Sequence, residues 1–183
     1  GMGSTPNELS KAKGIIDDIE AESNKYDKNG NLIGNPEEKN IFQISSCPWC
    51  GTKLITKRIN KNGQEVWTYG FKKSRRDFKI KCNNQQCTCS GGIPVRVIDE
   101  LLYEQPPTLL FGTVDKFAML AWKERAHRFF NSHDDELLPP DLIIQDELHL
   151  LSGPLGSITG IFESIIEILS TKKDRSPKII AST

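Results

Sequence analysis

The stretch that decides the fold reads DLIIQDELHL, residues 141–150. A short apolar run follows Pro139-Pro140 and ends in two adjacent carboxylates, Asp146 and Glu147. Such a run, bounded by turn residues, predicts a buried strand whose carboxyl end carries charge. Working outward, Thr108–Phe111 is a second apolar run between Pro106-Pro107 and Gly112, and Lys178–Ile180 begins a third. Helix-like segments separate them. One runs from Asp115 to about Phe130, with Phe117, Leu120, Ala121, Trp122 and Phe129, and another from Ser157 to Ser170. Strands near 108–111, 141–146 and 178–182 alternating with helices predict a parallel α/β sheet. Open sheets of this class bind ligands at the carboxyl ends of their strands. There Asp146 would sit on the shell of a Mg²⁺ ion and Glu147 on an attacking water, as nucleotide hydrolysis requires. The plainer alternative is a charged strand end facing solvent.

All five cysteines lie between Cys47 and Cys89. Cys47 and Cys50 form the pair CPWCG, and Cys82 and Cys87 a second pair some thirty residues on. Two knuckle-spaced pairs around a hairpin-sized spacer are what a tetrahedral all-thiolate zinc site needs, and four thiolates leave no open position for catalysis. Gly51 permits the tight turn after Cys50. Cys89 is the alternative to Cys87, but the shorter gap from Cys82 favours Cys87 and leaves Cys89 a free thiol. A redox reading of Cys47 and Cys50 leaves the second pair unexplained. Within the spacer, Asn62-Gly63 marks a hairpin between TKLITKRI and EVWTYGF. The dense basic cluster Lys72, Lys73, Arg75 and Arg76 stands near Trp67, Tyr69 and Phe71. It suits either phosphates and bases or a solvated loop.

Residues 6–23 predict a helix, with Pro6 in its first turn and Leu9, Ile15, Ile16 and Ile19 as its stripe. Residues 24–40, rich in Asn, Gly and Lys, predict a flexible loop. The expected organisation is therefore an N-terminal helix and loop over 1–40, a β-rich zinc ribbon over 41–98, and the α/β part over 99–183. Lys+Arg and Asp+Glu both total 24, which argues against a dedicated basic nucleic-acid arm but leaves room for a local patch. No apolar run reaches about 18 residues, the length of a membrane span, and no signal peptide is legible at the N-terminus. Clustered cysteines without an export signal point to a reducing, cytoplasmic setting.

The acidic strand end resembles a known family. Asp146-Glu147-Leu148-His149 is similar to the DExH box of superfamily-two helicases. PTLLFGTVDKF, residues 107–117, looks like their strand-then-Thr segment, and KIIAST, residues 178–183, like the strand leading into their coupling motif. The strings TPN, CPWCG, PTLLFGTVDKFAMLAW and DLIIQDELHLLSGPLGS together resemble the large helicase-like proteins of bacterial DISARM anti-phage systems. In those a cysteine insertion interrupts the first RecA-like domain. The resemblance implies a partial RecA-like sheet with an inserted zinc ribbon, belonging to a DNA-directed ATPase, with RNA the alternative strand. It implies that Asp146 binds Mg²⁺ through water and that Glu147 deprotonates the hydrolytic water. His149 would couple nucleotide to nucleic acid, and Thr113, Asp115 and Lys116 would grip the backbone. No G-x-x-x-x-G-K-[ST] loop occurs, and residues 152–157, SGPLGS, are not one. The chain is thus expected to hold half an ATP site and to be inactive by itself. ATP, Mg²⁺ and the remainder of the motor belong to the full-length parent, and no membrane is involved. His127 and His133 read as ordinary surface residues. The rival reading is a zinc module that binds nucleic acid or protein without chemistry.

Overall fold

The computed structural model describes residues 6–113, 124–131, 136–146, 163–173 and 175–182. It is a mixed α/β chain of small two-stranded sheets that divides into two compact units, Gly1–Leu102 and Tyr103–Thr183.

In the first unit, helix α1 spans Leu9–Ser23 and buries Ala12, Ile16, Ile19 and Ser23. Spacings of three and four residues put these four on one face. The helix starts after Pro6 rather than on it. Its first N–H, at Leu9, donates to the Glu100 carboxylate at 2.7 Å. A side chain 91 residues away thus does the work of a local cap.

Strand β1 (Ile55–Ile59) pairs antiparallel with β2 (Glu65–Tyr69), Ile59 opposite Glu65. The connecting turn places Gly63 at φ 77°, and the Asn60 side chain accepts from the N–H groups of Asn62 and Gln64 at 2.9 and 3.0 Å. The Asn-Gly signal therefore marks a three-residue loop closed by a glycine in the left-handed region. Strand β3 (Phe71–Lys73) pairs antiparallel with β4 (Phe78–Ile80). Helix α1 lies over these sheets. The core joins its apolar face to Phe42, Leu54, Ile55, Phe71, Phe78, Ile80, Ile93, Ile98 and Leu101. Phe42 sits 4.9 and 4.8 Å, ring to ring, from Phe71 and Phe78.

Residues 24–40 hold a defined turn. Tyr26 bridges Leu32 around a turn in which the Asp27 carboxylate accepts from the backbone of Asn29 and Asn31, both at 2.8 Å. Pro36–Lys39 forms a 3-10 turn, and the Trp67 indole donates to the Gly34 carbonyl at 3.0 Å. The Asn-rich composition encodes side chain to backbone bonds that hold a defined turn. Helix α1 supplies part of the core beneath the cysteine-bearing segment and belongs to the same compact unit.

In the second unit, β5 (Leu142–Gln145) and β6 (Lys178–Ala181) pair in parallel, Leu142 opposite Lys178 and Gln145 opposite Ala181. A 3-10 segment covers Glu124–Phe130, and residues 163–170 are helical. Ala126, Phe130 and Ile166 form a small core with Tyr103, Phe129, Ile143 and Leu169 around it. The Lys172 ammonium ties this unit together by donating to the carbonyls of Asn131 and Leu137, both at 3.3 Å.

The strand expected at 108–111 is absent. Those residues are irregular, and Leu109 and Phe111 are 70% and 86% exposed. Strands β5 and β6 are themselves far less buried than expected, with Leu142, Ile144, Ile179 and Ile180 all exposed. An apolar run becomes a buried strand only where a neighbour pairs with its backbone and a layer covers its face. Among the described residues neither is present at 108–111. The predicted helix over 115–130 is described only from Glu124 onward, and that over 157–170 only from residue 163.

Candidate metal centre and the acidic strand end

The first knuckle is built on the turn after Ser46. Cys47 N–H donates to the Thr52 carbonyl at 2.8 Å, Gly51 N–H donates back to the Cys47 carbonyl at 2.9 Å, and Gly51 takes φ 73°. A Cβ at that position would strain the backbone. The second knuckle closes through Cys82 N–H to the Cys89 carbonyl, 3.0 Å, and Cys87 N–H to the Asn84 carbonyl, 3.1 Å. Asn83 joins the two. Its side-chain amide donates to the carbonyls of Lys53 and Leu54 at 3.0 and 2.9 Å.

These turns bring Cys47, Cys50, Cys82 and Cys87 together, their sulfurs all within 4.8 Å of one another. Cys50 Sγ lies 3.5 Å from Cys82 Sγ, and Cys47 Sγ 3.9 Å from Cys87 Sγ. A tetrahedral metal with about 2.3 Å bonds to sulfur requires sulfurs about 3.8 Å apart, so the cluster fits such an ion. Cys47, Cys82 and Cys87 are buried and Cys50 is exposed. Backbone N–H groups of Asn84 and Cys89 point at the sulfurs of Cys82 and Cys87, each at 3.4 Å. Such donors stabilise thiolates and orient them as ligands. Cys89 therefore serves the cluster through its backbone, and its thiol is outside the group of four.

The thiols are electrostatically unequal. The Thr52 hydroxyl, 3.2 Å from Cys50 Sγ, and the Thr52 backbone N–H draw Cys50 down to about 6. Burial pushes Cys82 up to about 12. One ligand is ready to bind at neutral pH and another must surrender a proton to do so. Cysteine spacing by itself does not single out Thr52 and Asn83. The available signal was their type and place, a hydroxyl two residues past a ligand and a turn-forming amide inside the second knuckle.

Asp146 follows β5 directly and is exposed at its carboxyl end, where Ser182 N–H donates to the Gln145 carbonyl at 2.8 Å across the parallel pair. Thr113 is exposed in irregular chain. Asp115, Lys116, Glu147, His149 and His133 lie outside the described residues. His127 is half-buried in the 3-10 segment. No helix among the described residues is long and apolar enough to cross a membrane.

The chain is 33% identical over 202 aligned positions to a DISARM protein DrmA of Bacillus paralicheniformis. The similarity covers 92% of this chain and 17% of that protein, so the chain spans about a sixth of the relative's length. No family model matches, and no solved structure is significantly similar.

Proposed function

We propose that this chain, similar along nearly its whole length to a segment of a DISARM protein, is the metal-bearing stretch of the first motor domain of a bacterial anti-phage helicase or translocase. The parent hydrolyses ATP to move on or remodel DNA. The observation that carries the reading is the parallel pair β5–β6 with Asp146 at its carboxyl end. That is where an open α/β sheet places a metal-binding carboxylate. The exposed apolar faces of both strands are what a RecA-like sheet would cover with its remaining layers. Asp146 holds Mg²⁺ through water, Glu147 activates the hydrolytic water, and His149 links nucleotide to nucleic acid. Thr113, Asp115 and Lys116 contact the strand backbone.

The metal of the four-cysteine site is zinc, since four thiolates at tetrahedral spacing suit that ion and close its shell. Its role is structural. Elemental analysis of reduced protein is expected to find about one zinc per chain. Cys89→Ser should leave that content unchanged.

The motor reading is tested by Glu147→Gln in the full-length parent, which removes a general base and keeps the shape. Steady-state ATPase assays should find turnover slowed by about 10²–10⁴-fold, with ATP binding and zinc retained. Near-normal turnover would reduce Asp146 and Glu147 to a charged strand end. The 183-residue chain, lacking a phosphate loop, should show no DNA-stimulated hydrolysis.

One observation favours the rival reading of a binding module without chemistry. Trp49, inside the first knuckle, is 74% exposed, and exposed aromatic residues are enriched where proteins bind partners. Full-length protein that binds DNA normally but hydrolyses no ATP would support that reading.

A further inference from the structure

The hairpin formed by β3 and β4 is electrostatically unlike the rest of the chain. Residues 71–81, FKKSRRDFKIK, hold six cations against one carboxylate, on a chain whose 24 cations and 24 carboxylates balance as a whole. The register sets Lys72 directly opposite Lys79. Both are exposed, while Phe71, Phe78 and Ile80 turn inward to the core. Like charges facing each other across two strands destabilise the pair, so stability does not account for them.

The turn between the strands, closed by Ser74 N–H to the Asp77 carbonyl at 2.9 Å, exposes Arg75 and Arg76. The Lys13 ammonium of α1 donates to the Arg75 carbonyl at 2.8 Å and adds a further cation beside the turn. Neighbouring carboxylates offset little of this. Asp17 is engaged by Lys73 in an ion pair, and Asp77 reaches Lys79 only at 3.7 Å. Glu20 lies close enough to act on Tyr69. Among the described residues no carboxylate pairs with Lys72, Arg75 or Arg76. Lys72 instead rests over the Tyr69 ring, 4.9 Å from its centre.

We propose that the outer face of the β3–β4 hairpin, through Lys72, Arg75, Arg76 and Lys79, holds the phosphate backbone of a nucleic-acid strand. A nucleic-acid strand presents uniform negative charge, about one unit per 3.4 Å. Four cations on two short strands and their turn match that density. An acidic protein surface carries mixed charge and would leave some of them unpaired. Contacts of this kind position the strand without reading its bases, so binding is independent of sequence and steep in salt. The inference rests on the nucleic-acid reading above and adds a contact surface outside the motor residues.

The test is fluorescence anisotropy of the 183-residue chain with labelled single-stranded and duplex DNA between 50 and 200 mM KCl. Replacing Lys72, Arg75, Arg76 and Lys79 by Ala should flatten the slope of log K against log salt by about 2.8–3.6. That corresponds to about 50–150-fold less weakening across this salt range. Arg75→Glu with Arg76→Glu alters only the exposed turn and should weaken binding in the same direction, with the circular dichroism spectrum unchanged. A charge-matched control, Lys11, Lys28, Lys39 and Lys61 to Ala, should leave the slope within about one unit. A control that flattens it equally makes the effect one of net charge and overturns the proposal. No binding by the unaltered chain at 50 mM salt overturns it too, as does displacement of the strand by polyglutamate at equal charge, which would mark an acidic protein partner. ATP hydrolysis is not read here. Failure of the motor reading and failure of this one are therefore separately visible, the first in Glu147→Gln and the second in the salt slope.

Discussion

The two units use similar apolar runs to opposite effect. In the first, Leu54 and Phe71 are fully buried, sealed beneath α1 and beside the thiol cluster. In the second, Phe111 is 86% and Ile144 63% exposed, and only a small cluster around Phe130 and Ile166 is covered. The first unit closes because a helix, two hairpin sheets and a metal-sized cluster of sulfurs surround one set of side chains. The parallel pair β5–β6 has no such cover among the described residues. Burial is decided by what lies across from a run rather than by its hydrophobicity.

The most damaging way to break this contrast is to deprive the four-cysteine cluster of the metal it is built to hold. Structural zinc in small modules binds with roughly 10–16 kcal/mol, comparable to or above a domain's whole stability of about 5–15 kcal/mol. Chelation, or Cys47→Ser, should therefore unfold the first unit. Hydrogen exchange is expected to rise across the first unit, helix α1 included, and to change little at 178–182. Acid should act likewise. Cys50 ionises at about 6, below its ordinary 9.0, so its contribution is complete above about pH 9 and lost as pH falls through about 6. Metal retention measured across pH 5–8 should drop at the acid end. A Cys50→Ser chain that holds as much metal as the unaltered one would show that Cys50 is not a ligand.

Next comes Phe71→Ala, expected to cost about 3–5 kcal/mol in denaturant unfolding. Phe111→Ala should cost no more than about 0.5 kcal/mol. Equal costs would erase the distinction between the units.

A smaller effect tests how closely the first unit is packed. A Cβ at Gly70 would come within 2.1 Å of the Lys81 carbonyl oxygen, an immovable backbone atom. Gly70→Ala should cost about 1–3 kcal/mol. A neutral result would mean that Gly70 and Lys81, which extend the β3–β4 pair and are joined by a 2.7 Å bond from Lys81 N–H to the Gly70 carbonyl, are not held this closely.

The smallest effect belongs to β6. Ile180→Thr should shift the stability of this chain by less than about 0.5 kcal/mol. A loss above about 2 kcal/mol would show that the parallel pair is covered in solution, and the contrast would fail from the other side.

Local chemistry was readable from residue order alone. The Cys47–Cys50 and Cys82–Cys87 pairs, the Asn62-Gly63 turn, the α1 stripe and the β5 and β6 runs depend on spacing within a few residues, and spacing is what a sequence records. Distant matters required the folded chain. Glu100 caps α1 from 91 residues away, Asn83 ties one knuckle to the other, and Trp67 pins residues 24–40 through Gly34. The register that sets Lys72 against Lys79 is likewise invisible in a bare run of basic residues. The apolar run at 108–111 states the opposite case. Its composition predicts a strand, but a strand needs a hydrogen-bonded neighbour and a covering layer, and both are properties of tertiary structure. The sequence by itself determined which residues can bind metal, turn or pair. Only the tertiary structure decided which of them meet and which apolar faces are covered, because those outcomes depend on contacts between segments far apart in the chain.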